Sequence, residues 1–185
     1  RLLRQIVTNR LNLEMAAVDA IVAIACEVKP DEVTLVPERR EELTTEGGLD
    51  IVAHQKEVGK AMEKLHACGI VVSLFIDPDV RQIEMAKVLG AHAIEIQTAR
   101  YSEATTAAEK QEQLTILEEA SAFALQQALH LHMGHGLTYT NVQPVCRIEG
   151  VEELNIGHSI VSRAVLVGME RAVREMKQAM QDARG

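Results

Sequence analysis

The sequence predicts an α/β fold, a TIM (β/α)8 barrel of which this chain covers about six βα units. Strand-like and helix-like segments alternate along the whole chain, and six such units in a row indicate a parallel sheet. An eight-unit barrel typically needs about 250 residues, whereas this chain has 185. We therefore expect a single domain, 1–185, that forms the C-terminal portion of a barrel and carries its strands 3 to 8.

The predicted strands are short apolar runs separated by helical patterns and turn residues. They span Arg10–Glu14, Glu32–Val36, Ile70–Ile76, Ala91–Gln97, Leu129–Gly134 and Glu153–Gly157. The predicted helices span Ala17–Val28, Ile51–Ala67, Asp79–Leu89, Thr106–Ala128, Asn141–Arg147 and a pair within Ser159–Ala183. Gly69 and Gly90 stop two of these helices, and Asp77-Pro78 opens one of them.

An open, doubly wound sheet is the alternative fold for the same alternation of strands and helices. The first predicted strand is not followed by the G-x-G-x-x-G turn that is typical of dinucleotide-binding sheets. In addition, Arg1–Val7 reads as the end of a helix that belongs to a preceding unit. The sequence therefore favours the barrel, seen without its first two units.

The predicted strands have one aliphatic and one polar face, because successive side chains of a strand point to opposite sides. In the fourth strand, Ile94 and Ile96 share one face, and Glu95 and Gln97 share the other. Helices cover the aliphatic face, so the polar groups converge inside the barrel mouth, where barrel enzymes place their chemistry. Burying a lone carboxylate is costly, so we expect Glu14 and Glu95 to be paired or functional.

Composition and charge exclude several classes of partner. Aromatic residues make up 2% of the chain and the net charge is −8, so neither base stacking nor phosphate attraction supports nucleic-acid binding. No apolar run approaches the length of a membrane span, and we expect no membrane partner. Cys26, Cys68 and Cys146 lie scattered in apolar helical contexts, which predicts buried free thiols in a reducing cytosol.

Two predicted strands end in Gly-His, and these strand ends are the candidate functional site. Gly134-His135-Gly136 puts an imidazole on a turn where the backbone can come close to a ligand. The pattern recurs at Gly157-His158, just before a helical run. We expect the two strand ends to form neighbouring walls of one site.

Six motifs that follow one another along the chain carry a resemblance to a known family. They are Asn12-Leu13-Glu14-Met15-Ala16, Leu35-Val36-Pro37-Glu38-Arg39-Arg40, Leu43-Thr44-Thr45-Glu46-Gly47-Gly48-Leu49-Asp50, Val72-Ser73-Leu74-Phe75-Ile76-Asp77, Gly134-His135-Gly136-Leu137-Thr138-Tyr139 and Glu153-Leu154-Asn155-Ile156-Gly157-His158. Their order and spacing resemble the pyridoxine 5′-phosphate synthase family. The resemblance implies a TIM barrel that condenses 1-deoxy-D-xylulose 5-phosphate with 3-amino-2-oxopropyl phosphate. The products are pyridoxine 5′-phosphate, inorganic phosphate and water.

The resemblance also implies a cytoplasmic homo-oligomer that acts on phosphorylated small molecules without an organic cofactor or a metal. Glu14 matches the family's acid/base on the third barrel strand, and His135 matches its proton donor. These residue types suit ring closure, because the reaction requires several proton transfers and dehydrations.

Four further residues match substrate-binding positions of the family. Thr44 and Gly136 match positions that contact substrate, and Gly157 and His158 match a phosphate-binding pair. The physical interpretation agrees with the phosphate assignment, because backbone N–H groups at the start of a helix favour an anion.

The sequence departs from the family pattern in three places. Two N-terminal strands of the family, with a further catalytic histidine, have no counterpart here. Leu131-His132-Met133 stands where the family usually has Val-Asn-Ala, and Gln97-Thr98-Ala99 stands for His-Thr-Gly. The bulkier His132 is expected to reshape the pocket.

Two alternative functions remain open from the sequence alone. His130 and His132 lie on one strand face, as in metal-dependent barrel hydrolases, with His135 nearby and Glu14 or Glu95 to complete a ligand set. Stoichiometric zinc or manganese would favour that interpretation. The other alternative is an inactive remnant of a barrel that acts as an assembly partner, since open sheet edges invite association.

Overall fold

A computed structural model describes residues 1–38, 42–44 and 47–184 of the chain. The strands are β1 (Asn12–Met15), β2 (Glu32–Leu35), β3 (Val71–Ile76), β4 (Ala93–Gln97), β5 (His130–Gly134) and β6 (Val151–Asn155). The helices are α1 (Leu2–Ile6), α2 (Asp19–Val28), α3 (Gln55–Ala67), α4 (Val80–Val88), α5 (Ala99–Glu103), α6 (Ala107–Gln126), α7 (Val142–Cys146), α8 (His158–Val167) and α9 (Met169–Arg184).

The six strands form one parallel sheet whose order follows the chain from β1 to β6. Glu14 of β1 pairs in register with Thr34 of β2, and Glu95 of β4 pairs with His132 of β5. This order confirms the predicted run of βα units. A doubly wound sheet reverses its strand order at a switch point. No reversal occurs among the strands described here, so that alternative is wrong.

The sheet is curled, because side chains from distant strands meet on its inner face. Six strands laid flat would place β1 and β6 about 24 Å apart at the usual strand spacing. Instead Arg10, just before β1, donates a hydrogen bond from Nη1 to Glu153 Oε2 of β6 at 3.2 Å. His132 Nδ1 of β5 also lies 3.8 Å from Glu32 Oε1 of β2. The inner face is therefore the concave interior of a barrel-like structure.

The outer face of the sheet forms the hydrophobic core with the helices. Ile94, Ile96, Leu131 and Met133 are fully buried, as the alternation of their strands predicts. Helix α3 packs on this face through Val58, Ala61, Met62 and Leu65, whose spacing of i, i+3, i+4 and i+7 makes one apolar stripe. Within the described ranges, no helix is both long and apolar enough to cross a membrane.

The predicted elements agree with the structure except at several boundaries and at helix α5, which was not predicted. Gly69 and Gly90 follow α3 and α4 with φ of 76° and 77°, a conformation that glycine adopts easily. β6 begins two residues earlier than predicted, next to a register shift between Leu131 and His132. Helix α4 is capped by Asp79, which accepts a hydrogen bond from the Arg81 amide at 2.8 Å. The N-cap of this helix is therefore Asp79, two residues after the Asp77 that was predicted to open it.

The cysteines correct one sequence prediction. Cys26 of α2 and Cys68 at the end of α3 form a disulfide, and both are only partly buried, so the prediction of free buried thiols is wrong for them. Cys146 is buried and free, as predicted. Because Asp19 also accepts hydrogen bonds from Lys60 and Lys64, α2 and α3 are joined by charge as well as by the covalent bond.

Reduction of the Cys26–Cys68 disulfide is expected to destabilise the fold. The bond spans a sequence separation of 42 residues, and a cross-link of this kind contributes about 2–4 kcal/mol by restricting the unfolded chain. Urea unfolding with and without dithiothreitol measures the difference. The Cys26→Ser variant is the control and should be insensitive to reductant; equal stability of the oxidised and reduced protein would contradict the cross-link.

Candidate active site

An open cleft of about 1150 Å³ lies at the carboxyl ends of the strands. Residues from the ends of all six strands line it, and barrel enzymes place their active sites on this side of the sheet. Five of the six residues predicted from the sequence line this one cleft: Glu14, His135, Gly136, Gly157 and His158. The structure therefore brings the two Gly-His strand ends and the predicted acid/base residue together.

Glu14 opens onto the cleft from the outermost strand. Its side chain is exposed in the described part of the chain. β1 has only β2 as a neighbour in the described sheet, so no strand covers Glu14 on its other side. A carboxylate at this position is reachable by a molecule that enters the cleft.

Glu95 is the buried carboxyl group of the cleft. Its Oε2 accepts a hydrogen bond of 2.6 Å from Asn155 Nδ2 of β6. Burial is the main reason that the pKa of Glu95 rises to about 8, and repulsion by the nearby Glu14 carboxylate adds to the rise. Glu95 is therefore mostly protonated at neutral pH and able to donate a hydrogen bond. The expectation that Glu95 is paired is confirmed.

His135 sits on a strained turn directly after β5. Its φ of 81° lies in the left-handed region, which is uncommon for a residue with a side chain and clusters at functional sites. The His135 carbonyl accepts a hydrogen bond of 2.6 Å from Thr98 Oγ1, which anchors the turn. The imidazole is exposed, and its ring centre lies 6.4 Å from that of Phe75 across the cleft.

Two glycines beside His135 are required by close contacts. A Cβ atom at Gly134 would collide with Glu95 Oε1 and would lie 3.1 Å from Asn155. Gly136 has a φ of 76°, and a Cβ atom there would lie 2.6 Å from the Ser102 side chain. A side chain at either position would therefore force its neighbours, Glu95 and Asn155 or Ser102, to move.

The second Gly-His pair forms the start of helix α8. Gly157 is the N-cap and His158 the first helical residue, and both are exposed at the cleft. No cap side chain uses the first N–H groups of the helix. These groups and the positive end of the helix dipole make this part of the cleft favourable for an anion.

Thr44 differs from the other predicted residues because it does not line the cleft. Its hydroxyl donates a hydrogen bond to Asp77, which follows β3. Gly47, from the same connection, does reach the cleft wall. Thr45 and Glu46 of the same motif, like Arg39 and Arg40, lie outside the described residues.

The histidines of β5 do not form the metal site of the alternative hypothesis. His130 is exposed, stacks on His92 and lies 2.9 Å from a Glu152 oxygen, whereas His132 is buried beside Glu32. The two imidazoles therefore face different carboxylates. Over the described ranges, no group of three or more histidine, cysteine, aspartate or glutamate residues is arranged to hold a metal ion.

The interior below the cleft is unusually polar. Glu32 and His132 are buried there, and burial raises the pKa of Glu32 and lowers the pKa of His132. Both shifts favour the neutral forms. Arg10 donates to Glu32 Oε2, while Glu32 Oε1, Ser73 Oγ and His132 Nδ1 have no hydrogen-bond partner in the described part of the chain.

Some site residues carried no sequence signal for their position. Asp77 was interpreted as the start of a helix. Arg100 lines the cleft but belongs to none of the motifs. Asn155 belongs to the motif that ends in Gly157-His158, but its hydrogen bond to Glu95 joins residues 60 positions apart in sequence. Contacts of that range depend on which strands lie next to one another in the sheet, which local patterns do not encode.

The fold and the cleft together define a class of protein. A curled parallel sheet with carboxyl and imidazole groups at the carboxyl ends of its strands is typical of α/β-barrel enzymes. A match over nearly the whole sequence identifies the family within this class. Residues 1–182 match the family model described as Pyridoxal phosphate biosynthesis protein PdxJ, and the chain belongs to this family.

Curated relatives with the name Pyridoxine 5′-phosphate synthase match almost the whole chain. The relative from Synechococcus sp. is 62% identical over 180 residues, which are 97% of this chain and 75% of the relative. The relative from Cyanothece sp. is 58% identical over 181 residues, with 98% and 75% covered. The relative from Citrifermentans bemidjiense is 54% identical over 183 residues, with 99% and 77% covered.

Solved structures with little sequence similarity share the fold. The BexX/CysO complex of Amycolatopsis orientalis matches with a TM-score of 0.58 at 14% identity, covering 88% of this chain and 59% of that chain. A xylose isomerase domain protein from Planctomyces limnophilus matches with a TM-score of 0.54 at 12% identity, covering 92% and 71%. At such identities the similarity concerns the fold alone.

The close packing around Gly134 gives a stability prediction. Gly134→Ala should lower the free energy of unfolding by about 1–3 kcal/mol, because the new methyl group displaces Glu95 or Asn155. Gly157→Ser is the matched control, since nothing lies within 4 Å of a Cβ atom there and serine still caps helix α8. Urea unfolding of the two variants compares them, and equal stabilities would contradict the packing described for Gly134.

Proposed function

We propose that this chain carries the active site of a pyridoxine 5′-phosphate synthase. It condenses 1-deoxy-D-xylulose 5-phosphate with 3-amino-2-oxopropyl phosphate to form pyridoxine 5′-phosphate and inorganic phosphate. The observation that carries the proposal is the single cleft that joins Glu14, Glu95 and His135 to the start of helix α8. Membership of the family and the name of the relatives support the same activity.

The two carboxyl groups of the cleft have environments suited to opposite tasks. Glu14 is open to the cleft and takes the role of the base that removes protons from the condensing substrates. Glu95 is buried, and with a pKa of about 8 it is a neutral acid at pH 7. It donates a hydrogen bond to an oxygen on which negative charge develops. A pair of carboxyl groups with divergent environments is a common way to separate acid from base.

His135 takes the role of the proton donor in the dehydration steps. A hydroxyl leaves as water only when it receives a proton, and an imidazole gives up its proton readily near neutral pH. The strained turn at His135 and the contact of Gly136 with Ser102 hold this imidazole at the cleft wall. The turn therefore orients the His135 imidazole toward the cleft.

Gly157 and His158 take the role of a phosphate site. The first N–H groups of α8 can donate hydrogen bonds to an anion. The missing side chain at Gly157 leaves room for a phosphate to approach the backbone closely. Gly136 completes the substrate contacts from another side of the cleft, and Thr44 supports them indirectly through its contact with the Gly47 amide. Thr44 acts from behind Gly47, since its own side chain does not line the cleft.

We also propose the setting in which this site works. The curled sheet is part of an eight-unit TIM barrel, because β1 and β6 are terminal strands whose inner faces already approach each other. The enzyme is a cytoplasmic homo-oligomer that needs no cofactor.

The role of Glu14 gives the test of the proposed function. Glu14→Gln keeps the size of the side chain and removes its basicity, so turnover in the purified full-length protein should fall about 10²–10⁴-fold. Product formation from the two phosphorylated substrates is the measurement. Glu84→Gln, at an exposed position of α4, is the control and should leave turnover unchanged.

Two results would contradict the proposal. Near-normal turnover of Glu14→Gln would remove the base from the mechanism. Absence of turnover in the unmodified full-length protein, with intact folding, would favour the inactive assembly partner instead.

A further inference from the structure

Asp77 is the centre of a buried polar cluster that the proposed chemistry does not use. It follows β3, and its side chain is 3% exposed. Asp77 Oδ1 accepts hydrogen bonds from the Gly48 amide at 3.0 Å and from Gln97 Nε2 at 2.6 Å, while Oδ2 accepts one from the Thr44 hydroxyl. A carboxylate only accepts, so this one group ties together three separate segments of the chain.

Besides the end of β3, where Asp77 itself lies, one of these segments is the turn that contains Thr44, Gly47 and Gly48, which supplies two of the three hydrogen bonds. The Thr44 amide donates to the Gly48 carbonyl at 3.0 Å, and the Gly47 amide donates to Thr44 Oγ1 at 3.1 Å. A Cβ atom at Gly48 would lie 2.6 Å from the Asp77 amide nitrogen, so the turn presses directly against the end of β3. Asp77 therefore fixes both the Thr44 hydroxyl and the backbone of this turn.

The third segment is the end of β4, which also carries Glu95. Gln97 is buried, lies on the same strand face as Glu95 and lines the cleft together with Gly47. A Cβ atom at Gly47 would lie 3.8 Å from Gln97 Nε2. The Asp77 carboxylate thus links the turn on one wall of the cleft to the strand that holds the buried acid.

We propose that Asp77 is a positioning residue of this active site. It holds the Thr44 turn against β3 and β4, so that Gly47 and the substrate-binding face of the turn have one fixed place at the cleft. The Thr44 hydroxyl proton is directed to Asp77, so Thr44 acts on substrate through the geometry of the turn. This inference rests on the proposed function, because it requires the cleft to bind the proposed substrates. It assigns Asp77 to substrate binding and not to proton transfer.

The test measures KM and kcat for Asp77→Asn and Asp77→Ala in the full-length protein. Asp77→Asn keeps an oxygen for Gly48 and Gln97 but no longer accepts from Thr44, whereas Asp77→Ala removes all three contacts. KM should rise about tenfold in Asp77→Ala and by less in Asp77→Asn, with kcat changed by less than about threefold.

A double variant separates positioning from a merely structural role. If Asp77 acts through Thr44, Asp77→Asn combined with Thr44→Val should have the same KM as Thr44→Val alone. Gln82→Ala is the matched control, because Gln82 bonds Ile51 and Asp50 at the far end of the same connection, at 3.0 and 2.9 Å. It should lower the unfolding temperature and leave KM unchanged.

Amide hydrogen exchange provides a readout that does not depend on turnover. The Gly48 amide should exchange faster in Asp77→Asn and Asp77→Ala than in the unmodified protein, at equal global stability. Unchanged KM in both Asp77 variants would overturn the inference, and so would unchanged Gly48 exchange, because Asp77 would then not hold the turn. If the unmodified protein lacks turnover, the proposed function fails instead, and Gly48 exchange alone decides whether Asp77 holds the turn.

Discussion

The hydrogen bond between Asn155 and Glu95 is the contact on which the site depends most. It crosses from β6 to β4 on the inner face of the curled sheet, and it passes over Gly134 of β5, where a side chain would block it. Asn155 satisfies one oxygen of a carboxyl group that has little access to water. The other oxygen lies over Gly134, where a Cβ atom would collide with it. A neutral acid is thereby fixed beside an exposed carboxylate.

The same curl explains the division of the molecule into an aliphatic outside and a polar inside. Helices cover the outer face of the strands, and burial of that face stabilises the fold. The inner face contains carboxyl, hydroxyl and imidazole groups from one end to the other, held in part by Arg10 between Glu32 and Glu153. The side chains that stabilise the fold and those that carry the proposed chemistry thus lie on opposite faces of the same strands.

Local sequence patterns predicted the strands and most of the helices. The features that they did not predict depend on contacts between residues distant in sequence or on elements too short to show a pattern. The alternation of Ile94 and Ile96 with Glu95 was enough to assign the two faces of β4. The Asp77-Pro78 signal was misleading, because Asp79 caps the helix and Asp77 turns back toward Thr44. The five-residue helix α5 is too short to show a period. The disulfide depends on how α2 and α3 lie together, which cysteine spacing does not reveal.

The protonation of Glu95 is the most direct test of this account. The carboxyl ¹³C shift of Glu95, assigned by its loss in Glu95→Gln, can be followed by NMR from pH 3 to pH 10. A pKa of about 8 is expected for this carboxyl group. Titration near the ordinary value for glutamate, about 4.3, would mean that Glu95 is ionised at neutral pH and would contradict the buried neutral acid.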